Sequence, residues 1–197
     1  MIANPRACLW AGAALAAAIL VVWLGVVGAD GFGLLAFLVR LLHVLAAMVW
    51  IGLVVFVNFV QLVALRAADD QGRDFLHKAV VPNVAWWFRH ASTVAVLSGL
   101  LLLLLSGYLL PSVVYGTSVF VPPARAWLLW LGVLGALAMW MLVHMYIWPN
   151  MQVVLGLRPG DAGAKARARD RVVTFARLNL ILAVPVTLAM VAAAHLY

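Results

Sequence analysis

The chain has 197 residues, of which 68% are hydrophobic and 10% charged, with a mean hydropathy of +1.13. Soluble domains carry about 25% charged residues, so this composition excludes an ordinary soluble domain and describes an integral membrane protein. Thirteen Lys and Arg face six acidic residues, all Asp, for a net charge of +7. The single cysteine, Cys8, excludes an internal disulfide, a CxxCH haem attachment and a paired-cysteine zinc site.

Hydropathy predicts an all-α, polytopic transmembrane helix bundle of about five spans, forming one membrane domain over 1–197. The first span is expected at about 8–28, closed by Gly28-Ala29-Asp30-Gly31. Its apolar run is longer than a signal-peptide core, so a retained helix is expected.

The second span covers about 32–66, and between Arg40 and Arg66 it holds 25 residues without a charge. That length crosses a bilayer with some tilt. His43, Trp50, Val54, Asn58 and Gln61 recur there at steps of seven, four, four and three, so they share one helix face. Polar groups at membrane depth face a bundle interior or a bound group. This face is expected to be one wall of a site.

A polar loop, RAADDQGRDFLHKAVVPN, is expected next, then a third span at about 84–110 ending before Pro111. A loop with Pro111, Gly116, Pro122 and Pro123 leads to the fourth span, about 124–148, which continues as helix past the bilayer edge. The basic stretch LRPGDAGAKARARDR reads as a loop before the fifth span, about 172–196. Pro185 within that span can kink it, neighbouring helices satisfying the freed carbonyl.

With the N-terminus inside, eleven of the thirteen basic residues fall on the inner side and only Arg40 and Arg125 on the outer. By the positive-inside rule the C-terminus is then outside. The same placement, basic residues in short loops between apolar runs, argues against nucleic acid as the partner. The lipid bilayer of a bacterial inner (cytoplasmic) membrane is the expected setting.

In this topology the histidines sort by depth. His43 and His195 lie toward the outer boundary, His90 and His144 in the inner half, and His77 in the inner polar loop, where it reads as a solvated histidine. Bis-imidazole ligation of a b-type haem needs two histidines from different helices at similar depth, an apolar slot, and cations for the propionates. The expectation is therefore one or two haems b, an outer one at His43/His195 and an inner one at His90/His144. Arg40 and Arg125 would pair the outer propionates, Arg89 lies beside His90, and Trp50 is a candidate for cofactor contact.

A rival site lies in MWMLVHMYIWPNM, where Met141, His144 and Met145 stand at i, i+3 and i+4. Thioether and imidazole ligands suit Cu(I), whereas methionine also fills irregular packing. No Glu occurs and no Asp lies inside a span, which argues against a carboxylate proton relay.

Three passages, HVLAAMVWIGLVVFVNFVQ (43–61), VVPNVAWWFRHASTVAVLSGLLLL (80–103) and HMYIWPNMQVVLG (144–156), together resemble the membrane domain of the urate hydroxylase family. They are most similar to short members lacking a soluble cytochrome c domain. The closing RVVTFARLNLILAVPVTLAMVAAAHLY is similar to that family's final helix. More distant resemblance extends to copper-resistance D-type proteins and membrane protoporphyrinogen oxidases.

The resemblance implies a multi-helix, cytochrome-like membrane protein in which His43 and His195 match family positions. His90 and His144 stand where the family is expected to have tryptophan and asparagine. The expected function is a membrane-embedded b-type cytochrome, an oxidoreductase component exchanging electrons with other membrane redox subunits or a quinone pool. A copper-handling protein and a non-redox accessory subunit are the alternatives.

Overall fold

The computed structural model describes residues 4–28, 30–108 and 123–196. The described residues are helical, without a strand. Among the described residues five helices are long and apolar enough to cross a membrane: α1 Pro5–Val27, α2 Gly31–Ala67, α3 Asp70–Leu105, α4 Ala124–Val154 and α5 Ala162–His195. The expected end of the third span at 109–110, and the loop with Pro111, Gly116 and Pro122, lie outside the described residues.

Two compact units divide within α2, Met1–Leu38 and Val39–Tyr197. In the first, Asn4 caps α1 by accepting from the Arg6 N–H at 3.0 Å, and Pro5 opens the helix. Gly28 ends it in the left-handed region at φ 66°, which a glycine adopts without steric cost. Asp30 then caps α2 through the Gly33 N–H. The Trp23 and Phe37 rings meet at 5.9 Å.

The second unit packs the rest of α2 with α3, α4 and α5. Its core gathers Trp50, Val54, Phe88, Ala95, Met139 and Val143 with Ala183 and Val186. Small residues set the closest approach. α5 buries Ala168, Val172, Ala176, Asn179, Ala183 and Val186 at helical spacing. Opposite them, Gly132 and Gly135 of α4 leave room for Met190 and Val186, the backbone approach that membrane helices use in place of a hydrophobic drive. Asn179 Nδ2 donates to the Met139 carbonyl at 3.2 Å, and Arg125 Nε to the Ala193 carbonyl at 2.9 Å.

The helices overrun the spans expected from hydropathy. The stretch 66–83, expected as a loop, is helical from Asp70, because Asp69 caps that helix through the Gly72 N–H at 2.8 Å. The basic stretch 157–171, also expected as a loop, is helical from Ala162, with Asp161 capping through the Ala164 N–H at 2.6 Å. α4 runs on to Val154, as its sequence suggests. A crossing needs only about 20 residues. The surplus turns of α3, α4 and α5 all lie at the end where α2 stops and α3 starts, the arginine-rich end.

Three helices contain a widened π turn: Val57–Gln61 in α2, Leu76–Val80 in α3 and Leu142–Ile147 in α4. Two of them have a covalent cause. A proline ring clashes with the carbonyl four residues earlier, and for Pro82 and Pro149 those carbonyls, Lys78 and Met145, fall inside the π turns. Widening the turn moves each carbonyl clear of the ring.

An asparagine attends every π turn. Asn58, Asn83 and Asn150 donate Nδ2 to the carbonyls of Val54, Ala79 and Tyr146 at 2.9, 2.8 and 2.7 Å. Each serves a carbonyl four residues back, where the regular ladder is disturbed. Asn58 also donates to the Ala176 carbonyl of α5 at 3.2 Å.

Candidate functional site: a basic cavity among four helices

A cavity of about 420 Å3 lies among α2, α3, α4 and α5 at the arginine-rich end. That volume is in the range of small-molecule and cofactor sites. Most of its wall is apolar, for example Val57, Leu65, Val84, Phe88, Ile147 and Val172. All three π turns contribute to it, through Val57 and Gln61, through His77, and through Val143 and Ile147. The widened turns carry these side chains into one space.

The polar lining has one sign of charge. Arg66, Arg73, Arg89 and Arg169 line the cavity with Gln61 and His77, and no aspartate does. Arg73 is partly satisfied: it donates to the Leu65 and Ala68 carbonyls at 3.2 and 2.9 Å and pairs with Asp70 at 3.3 Å, tying off the end of α2. The Arg89 guanidinium lies 4.0 Å over the Trp148 ring. Among the described residues the ion pairs are Arg73–Asp70 and Lys78–Asp74, so Arg66, Arg89 and Arg169 have no carboxylate.

Two buried polar atoms of the lining also lack a partner, Gln61 Oε1 and His77 Nδ1. Buried polar groups are hydrogen-bonded in the great majority of cases, and an exception points to a missing water, ion or ligand. Burial pushes the His77 pKa down, the positive charges of Arg169 and Arg73 push it further, and Asp74 opposes them. The imidazole is therefore neutral at pH 7. Guanidinium forks match the planar oxygens of carboxylate and phosphate, so this arrangement suits an anion attached to an apolar body.

The second-span stripe faces the bundle interior, with Trp50, Val54 and Gln61 buried and Asn58 clamped to α5. His43, at its far end, does not reach the cavity. Its Nδ1 lies 2.8 Å from the Ala95 carbonyl of α3, with Ser98 Oγ at 3.3 Å. A carbonyl only accepts, so Nδ1 holds the proton and Nε2 the lone pair. The ring lies against Gly99, where a Cβ would stand 2.8 Å from His43 Cε1.

The other histidines are arranged differently. His195 is exposed and bonds its own helix at the Val191 carbonyl, 3.0 Å away. His90 is exposed, bonded to the Trp86 carbonyl at 2.7 Å and stacked on the Trp86 ring at 4.1 Å. His144 uses both nitrogens, Nδ1 toward the Trp140 carbonyl at 3.1 Å and Nε2 toward the Thr93 hydroxyl at 3.2 Å. That hydroxyl in turn accepts from Trp140 Nε1 at 3.2 Å, closing the network.

Of the expected propionate partners, Arg125 is committed to the Ala193 carbonyl and lies 5.2 Å over Tyr108, Arg40 is exposed, and Arg89 belongs to the cavity. Met141 and Met145 line a shallow groove with Leu178 and Ile181 of α5. His144 turns instead to Thr93 of α3. The expected copper ligands thus divide between two neighbours.

In sequence His77 reads as a solvated loop residue, and no spacing groups the cavity arginines. The available signal was the twice-occurring Pro-Asn pair, 82–83 and 149–150, which marks two of the π turns. No family model, curated protein or solved structure matches this chain. The chemistry of the site has to be read from its own residues.

Proposed function

We propose that this protein is a multi-pass membrane protein that binds an amphipathic anion, an apolar body bearing carboxylate or phosphate, in the basic cavity. The observation that carries this reading is one arrangement: an apolar cavity lined by four arginines, three of them without a carboxylate, and by two orphaned buried polar atoms. The arginines offer an anion charge-assisted hydrogen bonds, and the orphaned Gln61 Oε1 and His77 Nδ1 leave room for a ligand that also carries uncharged polar groups. In the orientation favoured by the basic residues, the cavity faces the cytoplasm of a bacterial cell and the C-terminus faces out.

Tryptophan fluorescence of the detergent-purified protein, with Trp148 in the cavity wall, tests this reading. Dodecyl phosphate and dodecanoate are expected to give saturable changes, and the uncharged dodecanol a much weaker one. Arg169→Gln and Arg66→Gln should each weaken the anions about tenfold, the value of one charge-assisted bond of about 1.5 kcal/mol. Equal binding of the uncharged amphiphile sinks the reading.

One observation favours a second reading, the electron-carrying b-type cytochrome. Metal-bound histidines commonly donate their other N–H to a carbonyl, and the His43–Ala95 bond is of that kind, with Arg40 one helical turn away. A haem there would supply one-electron redox chemistry with a membrane partner or quinone pool, His43 holding the iron. The His90/His144 pair fits less well, since His144 Nε2 would have to leave Thr93. A dithionite-minus-oxidised spectrum with pyridine-haem quantification decides: a b-type band lost in His43→Ala supports it, and absence of haem ends it.

A further inference from the structure

We infer that the anion held in the cavity is the phosphate-bearing headgroup of an anionic phospholipid, taken from the leaflet at the arginine-rich end. The inference rests on the amphipathic-anion reading and names its ligand. Three features select it.

The first is level. The helical turns around the cavity mouth carry Asp70, Arg73, Asp74 and Lys78 on α3 and Lys165, Arg167 and Arg169 on α5. Such density of charge places these turns at the bilayer surface, among headgroups. A ligand reaching from there to Val57 and Val143 follows the polarity profile of a lipid.

The second is charge. Arg66, Arg89 and Arg169 have no carboxylate partner, so their guanidinium forks are available to the oxygens of a phosphodiester, each able to meet more than one fork. Basic pockets between transmembrane helices are a recurring way of holding anionic headgroups. The third is the uncharged pair. Gln61 Oε1 can accept from a headgroup hydroxyl, and His77 Nδ1, in the tautomer that carries its proton there, can donate to an ester or phosphate oxygen. A cavity of about 420 Å3 takes a headgroup and the start of one acyl chain, the remainder staying in the bilayer.

The test is native mass spectrometry of the full chain released from nanodiscs containing phosphatidylglycerol and phosphatidylcholine, with parallel competition by inorganic phosphate and by dodecyl phosphate. Retention of one phosphatidylglycerol per chain, about tenfold over phosphatidylcholine, is expected. The double variant Arg66→Gln/Arg169→Gln should lose that preference. Lys165→Gln/Arg167→Gln, basic but outside the lining, should keep it and so controls for general surface charge.

Equal retention of both lipids overturns the inference, as does an unchanged preference in the Arg66/Arg169 variant. Binding of dodecyl phosphate or inorganic phosphate without phosphatidylglycerol enrichment overturns the lipid source and leaves the anion site standing. Failure of every anion, lipid included, overturns the underlying reading as well.

Discussion

The guanidinium of Arg89 on α3 lies 4.0 Å over the ring of Trp148 on α4. Four residues further along α3, Thr93 meets His144, four residues earlier on α4. The two helices therefore run antiparallel in register, with one contact per turn. Because its stacking partner is an indole, Arg89 keeps its full charge for the cavity.

Replacing that guanidinium by an ammonium tests the stack. Arg89→Lys preserves the charge and loses the planar contact, which is worth about 1 kcal/mol at a partly desolvated site. The thermal midpoint in detergent should fall by about 2–4 °C. No fall would mean that the contact contributes nothing to stability.

His77 should make stability depend on pH. Its folded pKa is lowered, first by burial and then by Arg169 and Arg73, so the unfolded chain takes up a proton near the ordinary value of 6.5 while the folded chain resists. Stability is therefore flat above that pH and declines below it. Thermal unfolding from pH 8 to pH 5.5 should show the decline, and His77→Gln should reduce it. An identical slope in the variant would assign the decline to other groups.

Asn58 holds a π turn and a neighbouring helix together, through bonds to the Val54 and Ala176 carbonyls. Asn58→Leu strands both carbonyls and is expected to cost about 1–2 kcal/mol. Asn150→Ala removes only a bond within its own helix, to Tyr146, and should cost less. Chemical denaturation of the two variants in mixed micelles gives the order, and a reversed order would contradict the clamp.

Gly99 and Gly52 make a matched pair. A Cβ on Gly99 would stand 2.8 Å from His43 Cε1, whereas one on Gly52 would meet nothing within 4 Å. Gly99→Ala should displace the imidazole from Ala95 and cost about 1–3 kcal/mol. Gly52→Ala should be neutral or slightly stabilising, as alanine favours helix. Midpoints of thermal unfolding distinguish them, and equal effects would remove the packing argument for His43.

The number and order of the spans were legible because an apolar run long enough to cross a bilayer has few other uses. The inward stripe on α2 was legible too, since Trp50, Val54 and Gln61 follow helical spacing. The overrunning turns were not. Asp69, Gly72 and Pro82 look like loop residues in series, yet Asp69 is a cap and Pro82 is accommodated by the π turn before it. The cavity was hidden for a related reason. Its arginines come from three helices and lie 103 positions apart at the extremes, Arg66 to Arg169, so no local spacing announces them.

Each π turn adds one residue to a helical cylinder, and one residue corresponds to about 100° of rotation. In α2 that residue falls between the core at Val54 and the charge at Arg66. Everything beyond it is thus turned by more than a quarter circle relative to an unbroken helix. Shortening 57–61 by a single residue would leave composition, hydropathy and net charge almost untouched, yet it would swing Arg66 toward the lipid. For Arg66, membership of the site is a matter of phase along α2.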